Sequence, residues 1–263
     1  MLKPRMIPCL LLKGNGLVKT VQFKDPTYVG DPINTFRIFN TKEVDEIILL
    51  NIAATRRQES FPLNLLSRIF EECFMPLTYG GGIKNLDDMK RIFNTGVEKV
   101  AVNSAVAGNF SLIQEAAQAF GSQSIIVSMD VRQEKDRSYG IYSEGGTKLI
   151  SNDPVGFARA MEAQGAGEIL LNSIDRDGTM QGYDVDLIQS ISDSVNIPVI
   201  ACGGAGSLDD FGKAVYQGHA SAVAAGSLFV FHGRRRAVLI SFPTRQERET
   251  LFKEEIDYHA HRC

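Results

Sequence analysis

The sequence predicts an α/β protein of the (β/α)8 class on three observations: its length, a series of eight short apolar runs, and a half-chain repeat. The 263 residues suit one eight-fold strand–helix unit, so residues 1–263 read as a single domain. The runs are Met6–Leu12, Ile47–Asn51, Pro76–Tyr79, Val100–Asn103, Ile125–Asp130, Ile169–Asn172, Pro198–Cys202 and Ala222–Ala225. Each is short and rich in Val, Ile and Leu, as strands buried on both faces are. The first run, within MLKPRMIPCLLLKG, has the look of a leader peptide. Pro8 breaks it and no cleavage site follows, so it reads as a strand. Amphipathic stretches lie between the runs: Leu86–Phe93, with Leu86, Met89 and Phe93 at helical spacing, and Phe110–Phe120. Strands alternating with helices build a parallel sheet, and eight of them close into a TIM barrel.

An offset of 122 residues aligns the halves without a gap over about half of the first. Glu46-Ile47 meets Glu168-Ile169, Pro76 meets Pro198, Gly81-Gly82 meets Gly203-Gly204, Leu86-Asp87-Asp88 meets Leu208-Asp209-Asp210, and Gly96 meets Gly218. The half-repeats span about 1–122 and 123–245, and a tail occupies about 246–263. Two (β/α)4 halves then face each other across a pseudo-twofold axis, and a site on that axis should be roughly two-fold.

Composition narrows the function. Hydrophobic residues make up 44% and charged residues 22%, and the formal charge is −3. That balance argues against bulk affinity for nucleic acid or an anionic membrane. No apolar run reaches transmembrane length. Cys9, Cys73, Cys202 and Cys263 form neither a CxxC motif nor a disulfide framework, which points to the cytoplasm. Cys9 and Cys202 read as small core residues near strand ends. His259-x-His261-x-Cys263 has metal-ligand types but reads as terminal tail, so neither a metal nor a cofactor is expected. Arg234-Arg235-Arg236 reads as a solvated helix start, with a phosphate or a partner as the alternative.

The glycine clusters carry the first chemical signal. Tyr79-Gly80-Gly81-Gly82-Ile83 and Cys202-Gly203-Gly204-Ala205-Gly206 each end a strand and lead into a helix, with Asn85 and Ser207 as caps. Glycine lets backbone N–H groups approach an anion, and a helix start adds partial positive charge. The following strands end in Asn103-Ser104 and Gly226-Ser227, which supply more donors. Tight turns would also explain one such cluster. Two clusters at symmetric positions favour a ligand with two phosphates, or one at each end.

The chain carries Arg5-x-Ile7-Pro8-Cys9-Leu10, Pro76-Leu77-Thr78-x-Gly80-Gly81-Gly82-Ile83, Asp130, Gly165-Ala166-Gly167-Glu168-Ile169-Leu170-Leu171, and Asp175-Arg176-Asp177-Gly178-Thr179-x-x-Gly182-Tyr183-Asp184. With these motifs the chain, to about residue 231, resembles the HisF family, the cyclase subunit of imidazole glycerol phosphate synthase. The resemblance implies a partner glutaminase that releases ammonia. It also implies passage of that ammonia through the barrel to a ribonucleotide carrying two phosphates. It assigns Gly81, Gly82, Asn103, Ser104, Asp177, Gly178, Gly203, Gly204, Gly226 and Ser227 to phosphate binding.

The sequence departs from the family where the chemistry lies. The family pairs an acid and a base at the ends of the first and fifth strands. Asp130 matches the second, and Leu11, within Cys9-Leu10-Leu11-Leu12-Lys13, stands at the first. Leucine transfers no proton, so ring closure should lose the ~10²–10⁴-fold that one such group supplies. A further acidic position is Asn51, while the family lysine remains as Lys19. Asp175 or Asp177 could take over the missing role.

At the opposite end the resemblance implies an ammonia gate of four charges, and all match: Arg5, Glu46, Lys99 and Glu168. A structural plug is the alternative, since such a ring is costly to bury. Glu98 and Gln123 fall at this end as glutaminase-docking residues. The combination of an intact intake and an altered mouth resembles HisF-like paralogues of surface-polysaccharide pathways. Those work with a HisH-like glutaminase and an ATP-dependent amidating enzyme to make acetamidino sugars, and Arg236–Pro243 resembles their tails. The first reading is therefore a non-cyclising ammonia-channel subunit for sugar-nucleotide amidation. The alternatives are a histidine-pathway cyclase and a phosphate-ligand-binding barrel without ammonia traffic.

Overall fold

The computed structural model describes residues 3–54, 61–233 and 235–252. His259, His261 and Cys263 lie outside the described residues, as does Arg234. In chain order the strands are β1 (Arg5–Lys13), β2 (Gly16–Val21), β3 (Lys24–Gly30), β4 (Ile47–Asn51), β5 (Leu77–Gly80), β6 (Lys99–Val102), β7 (Ile125–Gln133), β8 (Tyr139–Ser143), β9 (Lys148–Ser151), β10 (Glu168–Ser173), β11 (Val199–Cys202), β12 (Ala222–Ala225), β13 (Phe231–His232) and β14 (Ala237–Val238). The helices are α1 (Pro32–Thr41), α2 (Leu63–Glu72), α3 (Leu86–Phe93), α4 (Ser111–Phe120), α5 (Pro154–Ala163), α6 (Val185–Ser192), α7 (Leu208–Tyr216), α8 (Ser227–Val230) and α9 (Arg245–Leu251).

Eight strands pair in parallel in the order β1-β4-β5-β6-β7-β10-β11-β12, and β12 closes on β1. This is a closed (β/α)8 barrel. Side chains alternate in and out along each strand, so the barrel has two cores. Ile7, Ile48, Ala101, Ile126, Leu170, Ile200 and Ala222 fill its interior. The outward residues of the same strands pack under the helices in a larger cluster that includes Tyr79, Phe36, Phe211 and Phe229.

Helix starts repeat between the halves. Asp31 caps α1, accepting from Asn34 N, with Pro32 in the first turn; Asp153 and Pro154 do the same for α5, accepting from Gly156 N. A side-chain acceptor followed by proline is a strong start, because proline has no N–H to leave unpaired. The two stretches lie at the same offset as the rest of the repeat.

The eight apolar runs become the eight barrel strands, and Leu86–Phe93 is helical over that span. Two strands run past their apolar stretch. β1 continues to Lys13 and turns into β2–β3, and β7 continues to Gln133 and turns into β8–β9. These antiparallel hairpins stand on the same end of the barrel, one per half. One reading needs correction: Arg235 and Arg236 do not start a helix. They sit in the turn of the β13–β14 hairpin, where Gly233 and Arg236 both take positive φ, a conformation that ends helices rather than starting them. Among the described residues, no helix is long and apolar enough to cross a membrane.

An aromatic chain, Tyr183–Phe211–Phe229–Phe242, ties α7 and α8 to the segment that follows the barrel. Phe211 is fully buried in it, whereas Phe74 is 81% exposed. Phe211→Ala should therefore cost about 3–5 kcal/mol. Phe74→Ala should stay within about 0.5 kcal/mol. Denaturant unfolding of the two variants checks both.

Candidate functional site

Strand parity lays out the barrel interior in layers. Arg5, Ile7, Cys9 and Leu11 share the inner face of β1, and Lys99, Ala101 and Asn103 share that of β6. The lowest layer is charged. Arg5 donates to Glu46 at 2.6 Å and to Glu168 at 2.6 and 3.3 Å. Lys99 donates to Glu168 at 2.8 Å and to both oxygens of Glu46 at 3.1–3.2 Å. Thr78 adds a hydroxyl bond to Glu46 at 2.8 Å. The four expected charges thus form one alternating ring, with a threonine that the charge pattern alone does not disclose. Burial pushes the Glu168 carboxyl upward, but bonds and charges from Arg5 and Lys99 outweigh it and hold the group below its ordinary range. Burial likewise works against the Arg5 charge, and Glu168 and Glu46 more than restore it. Glu98 and Gln123 are exposed, just ahead of β6 and β7, at this same end.

Above the apolar layer the barrel opens into a cavity of about 540 Å³ at the C-terminal ends of the strands. Its walls include Gly81, Gly82, Asn103, Ser104, Asp177, Gly178, Gly203, Gly204, Gly226 and Ser227, together with Lys19, Asp130, Leu11 and Asn51. The residues expected at this end come together, except Asp175.

The glycine turns are built alike. Gly81 and Gly203 take φ of +106° and +88°. A Cβ on Gly81 would lie 2.2 Å from the Asn51 carbonyl oxygen, and one on Gly203 would lie 2.6 Å from that of Ser173. Backbone packing therefore demands glycine at both turns, whatever binds there. At α3 the Asn85 side chain accepts from Asp88 N, and at α7 the Asp210 carboxylate accepts from Ser207 N and Oγ.

Asp130 lies on the cavity floor. Asn103 Nδ2 donates to one of its oxygens at 3.1 Å, and Asn172 Nδ2 approaches the other at 3.5 Å. Burial pushes the Asp130 carboxyl up to about 7, against the Asn172 bond and with help from Asp177. Asn103 also donates to the Ser128 and Tyr142 carbonyls at 3.1 and 3.3 Å. Its amide is thus committed to the carboxylate and backbone rather than aimed at an anion. Ser104 Oγ accepts from Glu144 N. Asn172 carried no signal in the sequence, since nothing about an amide at a strand end distinguishes it.

Of the two substitute carboxylates, Asp177 faces the cavity and accepts from Thr20 Oγ1 at 2.7 Å and Phe23 N at 3.2 Å. Burial raises it above its ordinary value. Asp175 is taken by Gln133 N at 2.7 Å and lies outside the cavity wall. Lys19 reaches in from β2 and donates to the Cys9 carbonyl at 2.6 Å. Burial lowers its pKa, with Cys9, Asp177 and Cys202 opposing. Cys9 and Cys202 are buried in the inner cluster, as small core residues there should be.

This geometry defines a (β/α)8 barrel with a partly buried ring of charges at one end and a polar cavity at the other. The family model described as histidine biosynthesis protein matches residues 5–235. The chain is 54% identical over 243 residues to "Putative imidazole glycerol phosphate synthase subunit hisF2" of Pseudomonas aeruginosa, covering 92% of this chain and 97% of that one. It is 46% identical over 250 residues to "Putative imidazole glycerol phosphate synthase subunit hisF3" of Vibrio vulnificus, covering 95% and 96%. It is 43% identical over 232 residues to "Imidazole glycerol phosphate synthase subunit HisF" of Alkaliphilus metalliredigens, covering 88% and 92%. The chain belongs to the HisF family.

The raised Asp130 value has a stability consequence with a definite sign. The unfolded carboxyl ionises near 3.8 and the folded one near 7, so the folded state holds the extra proton between them. Stability should therefore fall as pH rises through that window, by a few kcal/mol, roughly 1.4 per unit of difference. Asp130→Asn should remove that part of the slope. Unfolding free energies of both proteins between pH 4 and 8 check it.

Proposed function

We propose that this chain is the ammonia-receiving barrel subunit of a cytosolic, glutamine-dependent complex of the imidazole glycerol phosphate synthase type. The observation that carries the reading is the alignment of the charged ring, the apolar bore and the polar cavity on one inner face. A HisH-like glutaminase docks at the ring end, where Glu98 and Gln123 are exposed. Neutral ammonia crosses the apolar layer at little cost, whereas ammonium is held back by desolvation and by Arg5 and Lys99. A phosphorylated ligand meets it at the mouth, held by the glycine turns and the donors around Gly226 and Ser227. Asp130, titrating near neutral pH, is placed to move protons in either direction.

Two acceptors fit this frame. The names of the relatives support the histidine-pathway ribonucleotide more directly than a sugar. On that reading Asp130 works with Asp177, the second carboxylate in the cavity, and with Lys19. Leu11 favours the other reading, in which the barrel only delivers nitrogen and a separate ATP-dependent enzyme amidates a sugar nucleotide. Leu11 lines the cavity and offers no proton at the position where the family has an acid.

Supplying the purified chain with the ribonucleotide and ammonium separates the two. Turnover that Asp130→Asn lowers by ~10²-fold or more supports the cyclase reading. No turnover, with nitrogen reaching a sugar nucleotide once glutaminase and amidating enzyme are added, supports the delivery reading. Failure of both overturns the proposal.

The ring makes a further prediction. Lys99→Ala leaves Glu46 and Glu168 short of a partner in a poorly solvated layer, so stability should fall by roughly 3 kcal/mol. In the assembled complex the variant should lose glutamine-driven product while ammonium-driven product survives. Equal loss from both nitrogen sources would mark the ring as a structural plug.

A further inference from the structure

Cys9, Cys73 and Cys202 are free thiols, and two of them face inward together. Cys9 on β1 and Cys202 on β11 line the cavity, 4% and 8% exposed. Ala101, Ala222 and Ala224 fill the same inner cluster. Packing there asks for small side chains but not for sulfur, and neither thiol takes part in the nitrogen transfer proposed above.

The two sulfurs are in contact, and Cys202 donates to Cys9. The Lys19 amine reaches the same place and donates to the Cys9 carbonyl at 2.6 Å. A thiol that accepts a hydrogen bond beside a cation is favoured as the thiolate, its nucleophilic form. The Cys202 bond holds the Cys9 thiol below its ordinary value against burial; the Lys19 charge adds to the effect, and Asp177 and Asp130 oppose it. Cys73 gives an internal comparison. It is 5% exposed, as buried as Cys9, but it lies in the outer cluster and donates to the Met75 carbonyl at 3.2 Å. Burial pushes it up to about 11.

The strands keep Cys9 and Cys202 from forming a disulfide. Cys202 and Ile7 both pair with Ala224, so β12 stands between β1 and β11. Two strand spacings separate the backbones by roughly 9 Å or more. A disulfide spans only up to ~7 Å between Cα atoms.

We propose that Cys9 is a modification site for hydrogen peroxide entering by the mouth, with Cys202 as the donor that activates it. The Cys9 thiolate attacks one peroxide oxygen. An S–O bond forms and the O–O bond breaks. The sulfur gives up two electrons, the second oxygen leaves as hydroxide, and Cys9 becomes a sulfenic acid. Cys9 lies between Arg5 and Leu11 on the inner face of β1, so the added oxygen projects into the bore. Blockage of the bore rests on the ammonia reading above; the reactivity of the thiol does not.

The test exposes the purified chain to hydrogen peroxide between pH 6 and 9, traps sulfenic acid with dimedone under denaturing conditions, and maps the label by mass spectrometry. At pH 7 Cys9 should be labelled at least roughly tenfold faster than Cys73, with no Cys9–Cys202 disulfide. Cys202→Ala should slow Cys9 about tenfold at pH 7 and move its pH midpoint upward, since less thiolate is then present. Cys202→Ser keeps a donor and should retain most of the rate; it also serves, with the Cys73 comparison, if Cys202→Ala fails to fold. Equal rates at Cys9 and Cys73, label at Cys202 in preference to Cys9, or undiminished labelling in Cys202→Ala would overturn the proposal. For the bore, the chain is oxidised alone, freed of peroxide and assembled with its partners. Glutamine-driven product should fall, ammonium-driven product should survive, and dithiothreitol should restore the first. Cys9→Ala should be indifferent to the treatment. Full glutamine-driven product from a chain oxidised at Cys9 would overturn the blockage. Absence of glutamine-driven product before oxidation would instead contradict the ammonia reading.

Discussion

Closure of the eight strands, with side chains entering the barrel at every second residue, is the constraint on which both ends of this protein depend. Once β12 pairs with β1, the inner face of each strand becomes a fixed column of side chains. Arg5, Ile7, Cys9 and Leu11 are one such column, and Lys99, Ala101 and Asn103 another. A one-residue slip in any strand would send its ring charge outward into the apolar layer beneath the helices. The ring and the mouth are therefore not independent features. They are the two ends of the same inward set, and the apolar layer between them is what remains when both are in place.

Charges at the foot of a barrel are an expensive way to fill space. Glu46 is buried and makes contacts with Arg5, Lys99 and Thr78, while Glu168 shares Arg5 and Lys99. Hydrocarbon of similar volume would often serve stability as well or better. Every carboxylate oxygen in the ring has a partner, which keeps the cost tolerable and leaves the ring closed as it stands. The mouth makes the opposite compromise. Its leucines contribute no bonds, and the buried Asn172 Oδ1 has no hydrogen-bond partner among the described residues.

The fold was legible in the sequence because its signals are periodic. Eight apolar runs and an offset repeat both follow from strands buried on two faces and from a duplicated half. The ring was legible through the family resemblance, since charge type and position both match. The two hairpins after β1 and β7 were not, because β3 is mostly exposed and β2, though largely buried, sets Lys19 and Thr20 among its apolar residues, so no apolar alternation marks them. Arg235 and Arg236 misled because the positive φ that closes their turn has no mark in a run of arginines. Asn172 was hidden because its importance lies in what it faces, Asp130 and Gly203, and neither neighbour is near in sequence. The commitment of the Asn103 amide to Asp130 was hidden likewise.

Nitrogen passage through the barrel is the claim that joins these features. Its most direct test assembles the chain with its glutaminase and acceptor system. The complex is given glutamine labelled with 15N at the side-chain amide, in the presence of excess unlabelled ammonium at a pH where little ammonia is free. The account predicts that the product carries the label nearly undiluted, and that opening the ring by Lys99→Ala lets unlabelled nitrogen in. Product labelled only in proportion to the mixed pool, with the ring intact, would contradict it.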